Sequence, residues 1–88
     1  MNITMNDVTI YTTQYCPYCI RAKQLLNAKN IPYEEIDVGG DRALRQKMEQ
    51  LSGGYTVPQI FINTQPIGGC DELYQLENSH QLDALLQS

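Results

Sequence analysis

The chain has no tryptophan, a single phenylalanine, a single histidine, and no basic residue after Lys47. No apolar run approaches the roughly 20 residues of a membrane-spanning helix, which argues against a membrane partner. A net charge of −4 withholds the basic footprint that nucleic acid requires. Three cysteines are too few, and odd in number, to staple a secreted domain. The leading Met1-Asn2-Ile3-Thr4-Met5-Asn6 has neither the basic nor the apolar stretch of a secretion signal and reads as a loose lead-in to the first strand. Linkers, repeats and low-complexity tracts are missing as well, so the 88 residues read as one domain, 1–88, expected to be monomeric and cytoplasmic. Folding at this length buries a little over ~60% of the unfolded surface, enough for a modest core.

What charge there is lies unevenly. All six bases fall between residues 21 and 47, whereas the stretch from Met48 onward carries five carboxylates and no base. One half would then attract acidic partners and the other repel them. A solvated surface without a role accounts for the pattern equally well.

The chemistry-bearing stretch is Cys16-Pro17-Tyr18-Cys19. It stands where a β-rich run, Val8-Thr9-Ile10-Tyr11-Thr12, gives way to helical periodicity. Cysteines three apart at a helix start share one face, with Cβ atoms roughly 5–6 Å apart. A disulfide wants about 3.8 Å, so the pair closes after a small adjustment and opens readily. Unpaired N–H groups and the positive end of the helix dipole favour a thiolate there. Pro17 suits the first turn, where its missing N–H has no partner to lose. Cys16, outside the first turn, is expected to be the exposed nucleophile, and Cys19, inside it, the resolving thiol.

The remaining order is βαβα, then a β-hairpin, then helix. A helix over Pro17 to Lys29 ends at Asn30-Ile31-Pro32. Tyr33 to Val38 alternates as a second strand, and Asp41 caps a second helix with the stripe Leu44, Met48 and Leu51, closed by Gly53-Gly54. Val57 to Asn63 is the strongest strand signal, and Pro66-Ile67-Gly68 completes a hairpin with it. Gly68-Gly69 opens a third helix with Asp71 and Glu72 in its first turn and Leu73 and Leu76 inward. Ser79 is expected to cap a last helix with Leu82, Leu85 and Leu86 inward and the surface residue His80 in its first turn. Strands joined by a crossover helix should be parallel.

That order, with C-x-x-C at the first strand–helix junction, resembles the glutaredoxins, and specifically the small bacterial dithiol type, from about Val8 to Leu86. Three motifs carry the resemblance: Cys16-Pro17-Tyr18-Cys19, Thr56-Val57-Pro58-Gln59-Ile60-Phe61-Ile62 and Gly68-Gly69-Cys70-Asp71-Glu72-Leu73. The resemblance implies an α/β thioredoxin fold: a four-stranded mixed β-sheet flanked by helices, βαβαββα plus a C-terminal helix. It implies a cis Pro58 against the C-x-x-C, with the backbone of Val57, beside Thr56, offered to the substrate's cysteinyl unit as to an added strand. It also implies that Gly69, Cys70 and Asp71 bind the γ-glutamyl end of glutathione: helix-start N–H groups meet the carboxylate and the Asp71 carboxylate meets the ammonium. Simple helix capping is the plain alternative role for Asp71. Tyr18 is expected to cover the thiolate or stack on substrate. Cys70 is either a side thiol open to oxidation or a small packed residue.

Relatives of this kind place a lysine shortly before the C-x-x-C and a basic residue before T-V-P, where this chain has Thr13-Gln14 and Gly54-Tyr55. The glycyl carboxylate would then be held weakly, or by Arg45 or Lys47. The implied activity is glutathione-dependent reduction of protein disulfides and glutathione mixed disulfides, glutathione being co-substrate, with no metal and with ribonucleotide reductase among the candidate partners. Two alternatives stand beside it. A thioredoxin-like reductant is opposed by Pro17-Tyr18, the missing tryptophan and the G-G-C-D segment. An iron–sulfur carrier, holding its cluster through Cys16 and glutathione in a dimer, is opposed by the rigid proline after Cys16. A zinc site from Cys16, Cys19, Cys70 and His80 lacks the usual ligand spacing.

Overall fold

The structure is a computed structural model that describes residues 7–86. The lead-in Met1 to Asn6 lies outside the described residues. Eight elements follow one another: β1 (Val8–Thr12), α1 (Pro17–Ala28), β2 (Glu34–Asp37), α2 (Arg42–Ser52), β3 (Gln59–Ile62), β4 (Gln65–Gly68), α3 (Cys70–Asn78) and α4 (Leu82–Leu86). The sheet order is β2-β1-β3-β4, with β1 and β2 parallel and the other two pairings antiparallel. This is the mixed sheet and the element order expected of the sequence.

Alternation along the strands splits the core in two. Val8 and Ile10 of β1 and Ile60 and Ile62 of β3 point to one face, where Ala22 and Leu26 of α1, Leu73 of α3 and Leu82 and Leu86 of α4 cover them. Tyr11 and Phe61 point to the other, against Met48 of α2 and Val38, their rings meeting edge to face at 5.5 Å. So α1, α3 and α4 pack on one side of the sheet and α2 on the other.

The helix ends show what the sequence reading caught and what it missed. Asp41 accepts a hydrogen bond from Leu44 N at 3.0 Å, as expected of an N-cap, and Gly53 closes α2 in the left-handed conformation, φ 75°. The end of α1 is a Schellman motif on Asn30, φ 57°: Asn30 N donates to Asn27 O and Ile31 N to Leu26 O. The same motif ends α3, and this corrects the expectation for Ser79 and His80. His80, φ 62°, donates to Glu77 O while Gln81 N donates to Leu76 O, so Ser79 is the C-cap of α3 and His80 lies between helices. Leu51 is 51% exposed and Leu85 39%, so α2 buries Met48 alone and α4 buries Leu82 and Leu86. On α3 only Leu73 of the expected pair is fully buried; Leu76 is half-buried. The second strand is shorter than Tyr33 to Val38, and β3 begins at Gln59, after Pro58 has cost the ladder a donor.

Candidate active site

Antiparallel register gathers the site at one end of the sheet. Tyr11 near the end of β1 stands opposite Gln59 at the start of β3, and Ile60 stands opposite Gly68 at the end of β4. The loop that leaves β1 carries the cysteines, the segment that enters β3 carries Val57-Pro58, and the chain leaving β4 starts α3. The Val57-Pro58 peptide is cis, as the resemblance implied.

Cys16 is the N-cap of α1, and all three cysteines are thiols. Its sulfur accepts from Cys19 N at 3.2 Å, and its thiol donates to Val57 O at 3.7 Å. Folded back between these two backbone groups, Cys16 is only 9% exposed, which corrects the expectation of an open nucleophile. The order of access survives: Cys19 is 1% exposed. Burial, aided by the contact with the Cys16 sulfur, pushes the Cys19 thiol up to about 12, while a backbone hydrogen bond with Thr13 and the charge of Lys23 pull the other way.

Beside the cysteines runs a groove of about 320 Å³ lined by Tyr18, Thr56, Val57, Pro58, Gly69, Cys70, Asp71 and Glu72. All seven residues expected to bind substrate are therefore brought to one wall or another of the same groove. Tyr18, half exposed, overhangs it. Cys70 is the small packed residue of the two expected readings: it borders the groove but is buried in the core, and burial raises its thiol. A larger cleft of about 580 Å³ lies at the other end of the sheet, by Val8, Tyr33, Glu34 and Asn63. It contains none of the sulfurs.

Several further side chains hold this groove in shape. Glu72 lines it and accepts from Gly69 N at 2.7 Å, fixing the start of α3. Gln59, polar and buried, reaches back to donate to Thr56 O at 3.0 Å. Arg45 donates to Tyr55 O at 3.0 Å and stands 3.9 Å from Glu49, so of the two bases proposed for a glycyl carboxylate it is the one seen against this loop. The two helices that bear the halves of the site are tied together. Tyr74 OH donates to Arg21 O at 3.1 Å with the Arg21 guanidinium over the ring at 5.9 Å, and Lys29 bridges Glu77 and Asp83 at 2.9 and 3.2 Å. A buried polar amide next to a proline-bearing strand start is the one signal that would have marked Gln59; the partners of Glu72 and Arg45 depend on tertiary contacts. Among the described residues no three His, Cys, Asp or Glu side chains gather as a metal site would need, so Cys16, Cys19, Cys70 and His80 do not form one.

This geometry has clear counterparts among known proteins. The glutaredoxin family model matches residues 8–67. The chain is 51% identical over 83 residues to glutaredoxin 3 of Escherichia coli, covering 94% of this chain and all of that protein. A solution structure of glutaredoxin from Brucella melitensis superposes with a TM-score of 0.84 at 50% identity, covering 96% of this chain and 91% of that one. A crystal structure of a buckwheat glutaredoxin–glutathione complex gives the same TM-score at 30% identity, over 92% of this chain and 76% of that one. These neighbours share the thioredoxin fold, and neither the thioredoxin-like reductant nor the iron–sulfur carrier is favoured by them. The chain belongs to the glutaredoxin family, whose members are thiol–disulfide oxidoreductases that use glutathione.

Proposed function

We propose that Cys16 is the nucleophile of this oxidoreductase and Cys19 its resolving thiol, and that the groove from Tyr18 to Asp71 seats glutathione. The observation that carries this reading is the Cys16 sulfur, set between the Cys19 amide at 3.2 Å and Val57 O at 3.7 Å at the groove. Loss of the Cys16 proton ends the donation to Val57 O and leaves the Cys19 N–H facing a negative sulfur at a helix start. That sulfur attacks a glutathione mixed disulfide or a protein disulfide and becomes half of a new mixed disulfide, while the displaced thiolate takes up a proton. Val57, Thr56 and Pro58 flank the cysteinyl unit; the backbone at Gly69 and Cys70 and the Asp71 carboxylate meet the γ-glutamyl end.

Two exits follow. A second glutathione takes the glutathionyl group from Cys16, or Cys19 displaces it and closes the intramolecular disulfide, which glutathione then reopens. Glutaredoxin potentials of roughly −200 to −230 mV lie close enough to the glutathione poise for both directions to run. The protein acts as a single-domain monomer in the cytoplasm, on glutathionylated proteins and on disulfide-forming enzymes such as ribonucleotide reductase. The test is turnover of a glutathione mixed disulfide coupled to glutathione reductase and NADPH. Cys16→Ser should be inactive and Cys19→Ser should retain substantial turnover. Wild type that is inactive there, but reduced well by a thioredoxin reductase, would reverse the reading.

A further inference from the structure

Behind the two thiols lies a three-residue network that the proposed cycle leaves without a task. Lys23 Nζ is 2.9 Å from Glu35 Oε2, and the same oxygen accepts from Thr12 Oγ1 at 2.7 Å. Thr12 ends β1, Glu35 sits on β2 next to it, and Lys23 comes down from α1, so the cation is tethered to the edge of the sheet rather than free in solvent. Thr12 is wholly buried and the Lys23 side chain is 27% exposed. Lys23 follows Cys19 by four residues, which places the two on one helix face with their Cβ atoms roughly 6 Å apart.

We propose that Lys23 is a positioning residue for the resolving step: its tethered ammonium favours the thiolate of Cys19 and so sets how fast the mixed disulfide on Cys16 closes. The inference rests on the assignment of Cys19 as the resolving thiol. The titratable groups that face Cys19 are Cys16 and Lys23, and those that face Lys23 are Glu35, Tyr33 and Cys19. Burial holds Cys19 protonated, and of these groups Lys23 is the positive one. Glu35 keeps Lys23 charged and in place, while Lys23 and Thr12 together hold the Glu35 carboxyl below its usual range.

In the step itself Cys19 gives its proton to solvent and its thiolate attacks the Cys16 sulfur. The Cys16–Cys19 bond forms, the bond from Cys16 to glutathione breaks with its electron pair on the leaving sulfur, and glutathione recovers a proton from solvent. One thiol and one disulfide enter, and one of each leaves. Lys23 neither takes nor gives a proton. It acts only through the charge it presents to Cys19, whereas the attack of Cys16 that precedes this step has no such need of it.

The experiment is quenched-flow mass spectrometry of the full chain, reduced and then mixed with glutathione disulfide, following first the mixed disulfide and then the intramolecular disulfide. Lys23→Met should slow closure severalfold relative to formation of the mixed disulfide, the effect expected of removing one partly exposed cation. The closure rate of Lys23→Met should also rise to higher pH than that of wild type. Lys23→Arg should restore most of the rate. Glu35→Gln breaks the same ion pair but keeps the cation, and should slow closure less than Lys23→Met does. Closure at the wild-type rate in Lys23→Met overturns the proposal, as does an equal slowing of both steps in Lys23→Met and Glu35→Gln. A wild type that forms the mixed disulfide but never closes it overturns the assignment of Cys19, and this proposal with it.

Discussion

Gly69 is where the two substrate-binding halves of the groove touch backbone to backbone, and replacing it with alanine probes that contact. A Cβ at Gly69 would sit 3.1 Å from Pro58 O and 3.5 Å from Glu72 Oε1. Its backbone, φ −105°, is open to any residue, so no conformational strain confuses the result. Relief requires the Pro58 carbonyl or the start of α3 to yield by a few tenths of an ångström, and Pro58 is buried. Overpacking of this kind costs about 1–3 kcal/mol, and the low end applies because the groove side is open. Alanine is also a poorer N-cap than glycine. A total of roughly 1–2 kcal/mol lowers Tm by about 5–10 °C in a domain this size. The same displacement moves Val57 relative to the Cys16 sulfur, so KM for a glutathione mixed disulfide should rise roughly fivefold, the equivalent of about 1 kcal/mol. Gly53→Ala supplies the contrast. Gly53 has φ 75° and open space where a Cβ would go, so alanine there costs about 1 kcal/mol of strain at the close of α2, outside the groove lining, and should lower Tm with KM unchanged. A Gly69→Ala protein with wild-type Tm and KM would refute the reasoning, and so would a Gly53→Ala protein whose KM rises as much.

Gln59→Met keeps the volume of the buried side chain but removes the donor to Thr56 O, and should raise the same KM about two- to fivefold while lowering stability by about 1 kcal/mol. Urea unfolding and steady-state kinetics on one preparation check both, and an unchanged KM removes Gln59 from the groove's support. Alkylation reads the thiols. With Cys19 pushed up to about 12 by burial, it stays protonated from pH 6 to 9, so iodoacetamide should label Cys16 and leave Cys19 unlabelled until the pH climbs toward that value or urea opens the fold. Peptide mapping of a pH series shows it, and equal labelling of Cys16 and Cys19 in the folded protein at pH 7 counts against the assigned roles.

How much of this was legible in the sequence follows from the range of the forces involved. Caps and turns are decided by neighbours in the chain, so Pro17 at the helix start, Asp41 as N-cap and Gly53 as left-handed C-cap were readable. Ser79 misled because serine is a favoured N-cap residue, yet here it stands at the C-cap of α3. The choice was settled by His80 accepting the left-handed conformation and letting Gln81 N reach Leu76 O. Leu51 fits the apolar period of α2, yet only Met48, with Leu44 half-buried beside it, reaches the second, smaller core, because that face of the sheet is covered by one short helix. The seven groove residues came from motif resemblance and were found together. Glu72, Gln59 and Lys23 were not marked as site residues, and Arg45 only as one of two bases for a glycyl carboxylate. Glu72 bonds to an amide three residues away and Gln59 to a carbonyl three residues away, but across bends that only the folded chain defines. The partners of Arg45 and Lys23 lie 10 and 12 residues off.

The three motifs stand about 40 and 12 residues apart in the chain, and what joins them is strand register. Pairing Tyr11 with Gln59 puts the exit of β1 beside the entrance of β3, so a loop of four residues after Thr12 suffices to bring Cys16 to Val57. Pairing Ile60 with Gly68 puts the exit of β4 at that same end, and Gly69 follows at once. A slip of one residue in either pairing would turn Ile60 and Ile62 from the larger core toward the smaller one, so burial of those side chains is what holds the site in register. The groups that touch the Cys16 sulfur are backbone groups, Cys19 N and Val57 O, and backbone is positioned by the elements on either side of it rather than by any single side chain. Core substitutions beneath β1 and β3 should therefore disturb catalysis before they unfold the domain, whereas most exposed positions on α2 and α4 should change neither.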